Sequence, residues 1–122
     1  DRRRETMTRK EAKEKVIEVK NSVTDFNNPS DEIGYDLYEF ELDGNNLVVF
    51  AYIRKAKGTD GRKWYAVYSG CEYDGGDTIW ADYDSSTTRL RIDELADAIY
   101  RLANMYTDPD NLEELRKMIN NT

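Results

Sequence analysis

The chain has 122 residues, of which 39% are hydrophobic, 11% aromatic and 35% charged, and its formal net charge is −7. This length accommodates one hydrophobic core, and the aromatic content is too high for a disordered chain. The acidic balance argues against direct binding to nucleic acid or membrane surfaces, and the lack of histidine excludes Ser/His/Asp and Cys/His catalysis.

The first predicted element is a helix that begins at a capping box. Thr8 and Glu11 have the spacing at which each side chain accepts a hydrogen bond from the other residue's backbone N–H. The helix is predicted to end before Pro29. Residues 1–7 are predicted to be a flexible basic arm, and residues 8–122 a single domain. The apolar stripe of the helix consists of Ala12, Val16, Val19, Val23 and Phe26.

Four strands with short links are predicted next. Glycine, asparagine and aspartate fill the links, and these residues tolerate the backbone angles of tight turns. The pattern favours an antiparallel meander. The predicted strands are 35–43, 47–55, 63–69 and 78–84, and the predicted turns are 43–46, 57–61 and 74–77.

Two helices are predicted after the strands. The first starts at Thr88 or Asp93, with residues 89–92 as an alternative short fifth strand. The second starts with Asp108 as its N-cap and Pro109 as its first helical residue. Their apolar stripes are Ile92, Leu95, Ile99, Leu102, Ala103 and Tyr106, and Leu112, Leu115, Met118 and Ile119.

These elements predict the α+β class in two layers. A meander sheet of four strands, or five, is covered on one face by one N-terminal and two C-terminal helices. The element order is α-β-β-β-β-α-α.

An acidic, aromatic sheet face is the predicted binding surface. Seven acids and no base lie from Asp25 to Asp43, and five more acids lie from Glu72 to Asp84. If Tyr38 faces the helices, strict alternation turns the odd-numbered neighbours of the first strand to solvent. In the fourth strand the same reasoning turns Trp80 outward; the alternative packs Trp80 under a loop and exposes Ile79. The predicted partner-binding residues are Tyr35, Glu39, Glu41, Asp43, Trp80, Asp82 and Asp84.

This surface predicts a non-enzymatic acidic module that docks on a basic protein surface, without a cofactor. Small, strongly acidic inhibitors of nucleic-acid enzymes have this profile, as do antitoxin and immunity proteins and blockers encoded by phages or mobile elements. Nucleic-acid mimicry is an extension of the idea. Carboxylates on alternate strand residues lie about 6.6 Å apart, however, about half the density of DNA phosphates.

Other patterns leave alternatives open. The chain is alternatively a small-ligand or divalent-metal module, or a subunit of an oligomer. A secondary basic patch consists of Arg54, Lys55, Lys57, Arg62 and Lys63. An aromatic pocket is formed in the ligand alternative by Trp64, Tyr65, Tyr68 and Tyr73, and Asp74, Asp77, Asp82 and Asp84 supply hard oxygen ligands for Ca²⁺ or Mg²⁺.

The single cysteine, Cys71, excludes an intrachain disulfide and favours a cytoplasmic location. It is predicted to lie at a strand end or in a turn. No apolar stretch approaches the roughly 20 residues that a membrane-spanning helix needs.

Overall fold

A computed structural model describes residues 6–22, 32–82 and 88–121, apart from the side chain of Asp82. The predicted α+β class is confirmed, with one helix, a four-stranded antiparallel sheet and two further helices in the expected order. In this part of the chain, no helix is long and apolar enough to cross a membrane. The elements are α1 (Arg9–Ser22), β1 (Glu32–Leu42), β2 (Asn45–Lys57), β3 (Lys63–Tyr73), β4 (Thr78–Asp82), α2 (Ile92–Asn104) and α3 (Pro109–Asn120), with a 3₁₀ turn (Met105–Thr107) before α3.

The predicted capping box at the start of α1 is confirmed. The Glu11 carboxylate accepts from the Thr8 backbone N–H at 2.9 Å, and Thr8 Oγ1 accepts from the Glu11 N–H at 3.2 Å. Of the apolar stripe, Ala12 and Val19 are buried and Val16 packs against the core. The predicted helix end and the rest of the stripe lie outside the described residues.

We expect Thr8→Ala to lower the free energy of unfolding by about 1 kcal/mol, because the Glu11 N–H loses its acceptor. Urea denaturation followed by far-UV circular dichroism measures this loss. Thr59→Ala, in the exposed turn after β2, is the matched control and should change stability little. Equal losses for both variants would show that the capping box contributes nothing.

The packed domain includes Met7, which was predicted to be the last residue of the arm. Met7 is buried, and its backbone is held by one side chain at the end of α2. The Met7 N–H donates to Asn104 Oδ1 at 2.7 Å, and Asn104 Nδ2 donates to the Met7 carbonyl at 2.8 Å. The boundary at residue 8 is therefore wrong by at least one residue; residues 1–5 lie outside the described residues.

The sheet is the predicted meander, with strand order β1-β2-β3-β4. Asp43 and Gly44 form the two-residue link between β1 and β2, with φ angles of 50° and 84°. Positive φ at both positions defines the hairpin turn for which an Asp-Gly pair is favoured, since its twist matches that of the strands. The predicted turn is confirmed.

The helices cover one face of the sheet. The predicted inward direction of Tyr38, Phe40 and Leu42 is confirmed, because all three are buried in the core cluster. The Tyr38 hydroxyl donates to the Ala103 carbonyl in α2. Ser69 in β3 likewise donates to the Leu102 carbonyl at 3.3 Å. These bonds satisfy polar groups that would otherwise be buried without a partner.

Each edge strand contains one extra residue. Asp36 lies opposite Phe50 and Tyr38 lies opposite Val49, which leaves Leu37 without a register partner in β2. Such a bulge places two consecutive side chains on roughly the same side, so the alternation is inverted beyond it.

The bulge in β4 has the same form. Thr78 lies opposite Glu72 and Trp80 lies opposite Cys71, so Ile79 is the extra residue.

The sequence predicted the start of α3 correctly but not the start of α2. The N-cap of α2 is Arg91, whose N–H donates to the Glu94 carboxylate at 2.8 Å, so neither Thr88 nor Asp93 is the cap. The N-cap of α3 is Asp108, as predicted, and it accepts from the Asp110 N–H at 3.1 Å.

The alternative fifth strand is reduced to a single bridge. Leu90 and Tyr65 exchange two backbone hydrogen bonds of 2.8 Å in an antiparallel pair. The chain therefore touches the β3 edge once before entering α2.

Candidate functional site

The open face is the side of the sheet opposite the helices. Val48 and Phe50 are buried on it, although neither belongs to the core cluster that the helices cover. Its described members, given by the strand register, are Glu32, Gly34, Asp36, Glu39 and Glu41 from β1, Asn46, Val48, Phe50, Tyr52, Arg54 and Ala56 from β2, Trp64, Ala66, Tyr68, Gly70 and Glu72 from β3, and Thr78 and Ala81 from β4.

An aromatic group occupies the centre of the open face. Tyr52 and Tyr68 lie opposite each other on β2 and β3 and stack, with ring centroids 5.2 Å apart. They are 40% and 36% exposed, although their rings have a large apolar area. Phe50 packs edge-on against Tyr52 and lies over Gly70, where a Cβ would come within 2.2 Å of the Phe50 ring. Gly70 therefore provides the space that the Phe50 ring occupies next to Tyr52.

The end of the open face near the β1–β2 hairpin is acidic. Glu39 and Glu41 are exposed and turned outward as predicted, while their role in binding stays a prediction. Asn46 Nδ2 donates to the Glu39 carboxylate at 3.1 Å and to Asp74 at 2.9 Å, so one amide holds two carboxylates together.

Glu72 lies at the same end of the open face, and its pKa is raised. Partial burial raises the pKa of Glu72, and repulsion from Asp36 and Asp74 raises it further. A cationic group placed beside these carboxylates would relieve that repulsion.

Tyr35 does not lie on the open face, contrary to the prediction. Its ring lies 4.7 Å from Lys15 Nζ of α1, and it packs against the core cluster. Burial raises the pKa of Tyr35, with a further contribution from Glu18 of the same helix. The physical reason is the bulge at Leu37, which inverts the alternation between Tyr38 and Tyr35.

Trp80 also faces the helices, contrary to the prediction. Its ring meets Tyr106 edge to face, with centroids 5.5 Å apart. The extra residue Ile79 shifts the register, so that Ala81 is turned to solvent opposite Gly70 while Trp80 turns inward. The alternative prediction, with Trp80 packed and Ile79 exposed, is right that Trp80 is turned away from solvent. It is wrong for Ile79, which is partly buried against the core.

The predicted aspartates do not join the open face. Asp43 lies in the hairpin turn, where its carboxylate accepts from Arg116 Nε of α3 at 2.9 Å, on the helical side of the molecule. The backbone of Asp82 lies opposite Ser69, and its side chain lies outside the described part of the chain, as does Asp84.

Lys55 is not part of a surface patch. It is only 2% exposed, and its Nζ donates to the Val19 carbonyl near the end of α1 at 2.9 Å. Burial lowers the pKa of Lys55, and repulsion from Lys63 lowers it further. Lys55 lies on the helical side because it alternates with Arg54, which is on the open face.

The other members of the predicted patch are exposed but do not all lie on one side of the sheet. Arg54 lies opposite Glu32 on the open face. Lys57 and Lys63 lie opposite each other at the far end of β2 and β3. Arg62, in the turn, is 3.9 Å from Asp60. The five basic residues therefore do not form one anion-binding surface.

Of the four residues predicted to form an aromatic pocket, Trp64 and Tyr68 line one cleft on the open face. The cleft has a volume of about 520 Å³. Tyr65 lies on the opposite side of the sheet and is buried, and Tyr73 is half-buried against the core. The remaining lining residues are Glu32, Arg54, Ala66, Val67, Ala81 and Thr88.

Two further features bear on chemistry. Among residues 6–22, 32–82 and 88–121, no three acidic or thiol side chains are grouped closely enough to hold a metal ion. Cys71 lies within β3 instead of at a strand end, and it is buried. Burial, followed by repulsion from Glu72, raises the pKa of the thiol to about 12. A thiol held in its protonated form is a poor nucleophile.

The sequence prediction missed Tyr52, Phe50 and Gly70. Every residue from Leu47 to Ile53 is apolar, so the sequence shows no alternation that would mark the ring of Tyr52 as exposed. Neither a protein-family model, nor a curated protein, nor a solved structure matches the chain.

Proposed function

We propose that the chain is a non-enzymatic protein-binding module whose open face docks on a basic surface of a partner protein. The observation that carries this proposal is the stacked Tyr52–Tyr68 pair, exposed at the centre of a sheet face with an acidic end. Tyrosine is enriched among the residues that contribute most to protein interfaces, since it offers a large rigid ring and a polar tip.

The Tyr52–Tyr68 pair is suited to be the centre of an interface. Of the large hydrophobic side chains in the described residues that are strongly exposed, only Ile17 lies elsewhere. Phe50 is buried and packs edge-on against Tyr52. A pre-ordered aromatic surface loses little conformational entropy on binding.

The charges favour a basic partner. Asp36, Glu39, Glu41 and Glu72 lie on the open face, and Asn46 joins Glu39 to Asp74. Partial burial raises the pKa of Glu72, and repulsion from Asp36 and Asp74 raises it further. Arg or Lys side chains from a partner would remove that repulsion and speed association at low salt. Nucleic-acid enzymes carry such basic surfaces, so an inhibitor, antitoxin or immunity protein encoded by a phage or mobile element is the class we propose. Mimicry of nucleic acid and a cytoplasmic location belong to the same proposal.

The test is a pull-down from the source cells with three forms of the chain. The form E39Q/E41Q/E72Q removes three open-face charges, and Y52S/Y68S removes the aromatic pair. Each should reduce capture of the partner about tenfold or more, because roughly 1.4 kcal/mol of lost interaction is tenfold in affinity. Capture by the wild type should also fall as salt rises.

The matched control is E14Q/E113Q/E114Q, which removes three exposed carboxylates from α1 and α3. It changes the net charge equally but leaves the open face intact. Mass spectrometry identifies proteins that the wild type and the control retain equally. The proposal fails if those proteins are captured just as well by both open-face variants.

A further inference from the structure

We infer that the cleft beside the tyrosine pair receives one bulky apolar side chain of the basic partner. The partner's cationic residues then lie on the side of this anchor that points to the acidic end of the open face. This inference rests on the proposed function and adds the chemistry and direction of the segment that binds.

The cleft has room for a large side chain. Trp64 and Tyr68 are four residues apart on β3, which corresponds to about 13 Å along the strand. Ala66 lies between them, and its methyl group leaves the space between the two rings open. Ala81 of β4 is a further small lining residue. The volume of about 520 Å³ falls within the range of known ligand sites.

The charges at the rim favour a neutral anchor. Arg54 and Glu32 lie directly opposite each other in the strand register. The rim of the cleft therefore carries one positive and one negative charge next to each other. The Arg89 guanidinium already lies 5.7 Å from the centre of the Trp64 ring, where a cationic anchor would meet like charge. An apolar side chain removes ring surface from water without leaving a charge unpaired.

The acidic end fixes the direction of the bound segment. Glu72 is six residues along β3 from Ala66, or about 20 Å in a strand. An extended partner segment crosses that distance in about six residues, so its Arg or Lys residues follow the anchor at that spacing. A second copy of this chain is a poor occupant, because the open face carries more acidic than basic side chains and two copies would repel.

The experiment uses three synthetic peptides with the full chain, measured by isothermal titration calorimetry at low salt. The anchored peptide has one tryptophan, a Gly/Ser spacer of about six residues and three arginines. The second peptide replaces the tryptophan with glycine, and the third replaces the arginines with glycine. The anchored peptide should bind about tenfold more tightly than either of the others, because only it uses both the cleft and the acidic end.

Filling the cleft separates the two contributions. Ala66→Leu should weaken the anchored peptide about tenfold and leave the peptide without tryptophan unchanged. Ala66→Ser keeps the cleft open and is the matched control. Ala81→Leu fills the same space from β4, so the test remains valid if Ala66→Leu lowers stability. E39Q/E41Q/E72Q should weaken the arginine peptides and spare the peptide that lacks arginine.

Four outcomes overturn the inference. Equal binding of the peptides with and without tryptophan overturns the apolar anchor but leaves charge-dependent docking in place. Tight binding of the peptide without arginine shows that the cleft takes a neutral ligand unrelated to a basic partner. A dimer of the chain that Ala66→Leu dissociates, seen by light scattering, identifies a second copy as the occupant. If no arginine peptide binds, the proposed function fails as well.

Discussion

Trp80→Ala should lower the free energy of unfolding by about 3 kcal/mol, the loss typical of truncating a packed aromatic side chain to alanine. The Trp80 ring packs edge to face on Tyr106, which is fully buried, so its removal leaves a cavity between β4 and the helical layer. Tyr68→Ala removes an exposed ring and should cost about 1 kcal/mol or less. Equilibrium denaturation in urea compares the two variants under the same conditions.

Binding should respond in the opposite order. Tyr68→Ala should weaken capture of the partner, whereas Trp80→Phe, which retains most of the packing, should leave capture unchanged. If Trp80→Ala kept wild-type stability and lost the partner, Trp80 would belong to the binding surface after all. The variants therefore test which side of the sheet the Trp80 side chain faces.

Stability should fall steeply between about pH 9 and about pH 12. Cys71 and Tyr38 are both buried, and burial raises the pKa of each to about 12, from 9.0 for the thiol and 10.0 for the phenol. A raised pKa in the folded state means that the folded chain keeps protons that the unfolded chain loses. The stability from these groups is therefore fully present below about pH 9 and is lost as pH rises through about 12.

The expected size follows from about 1.4 kcal/mol per pKa unit, which gives about 4 kcal/mol for Cys71 and about 3 kcal/mol for Tyr38 at the alkaline limit. Lys55 acts in the opposite direction, because its lowered pKa makes stability rise as pH approaches 10.5. Urea denaturation at several pH values measures the sum. Cys71→Ala should flatten the dependence between about pH 9 and 12, and an unchanged slope in that variant would contradict the role assigned to the thiol.

Local signals in the sequence predicted most of the fold. The capping box at Thr8, the Asp43–Gly44 turn and the start of α3 at Asp108 each depend on hydrogen bonds or backbone angles within a few residues. Such features form from neighbours in the chain, so the neighbours suffice to predict them. The two-layer arrangement followed, because three amphipathic helices cover one face of a sheet.

The candidate site was predicted less well, because it depends on the register of the sheet. Alternation predicts side-chain direction only along an unbroken strand, and one extra residue inverts it. Tyr35 lies on the far side of the Leu37 bulge from Tyr38, and Trp80 follows the extra residue Ile79. The outward direction of Glu39 and Glu41 was predicted correctly, because no bulge separates them from Phe40, and their role in binding stays a prediction.

Two further misses have tertiary causes. Lys55 was assigned to the surface by its charge, yet the carbonyl of Val19 accepts its ammonium group beneath α1. The cap of α2 is Arg91, a residue with no intrinsic preference for that position, and Glu94 supplies the hydrogen bond from within the helix. The Val19 carbonyl also accepts from the Ser22 hydroxyl at 3.2 Å, and only the packing of α1 on the sheet brings Lys55 to it.

The bulges at Leu37 and Ile79 also affect how copies of this chain associate with one another. A smooth outermost strand offers a ladder of backbone donors and acceptors onto which another chain can add, layer after layer, as in fibres. Here both borders of the sheet are broken by an inserted residue, and β1 adds the carboxylates of Asp36, Glu39 and Glu41 along its length. Lateral growth is thereby opposed on both sides, which directs contact with other proteins to the flat of the sheet.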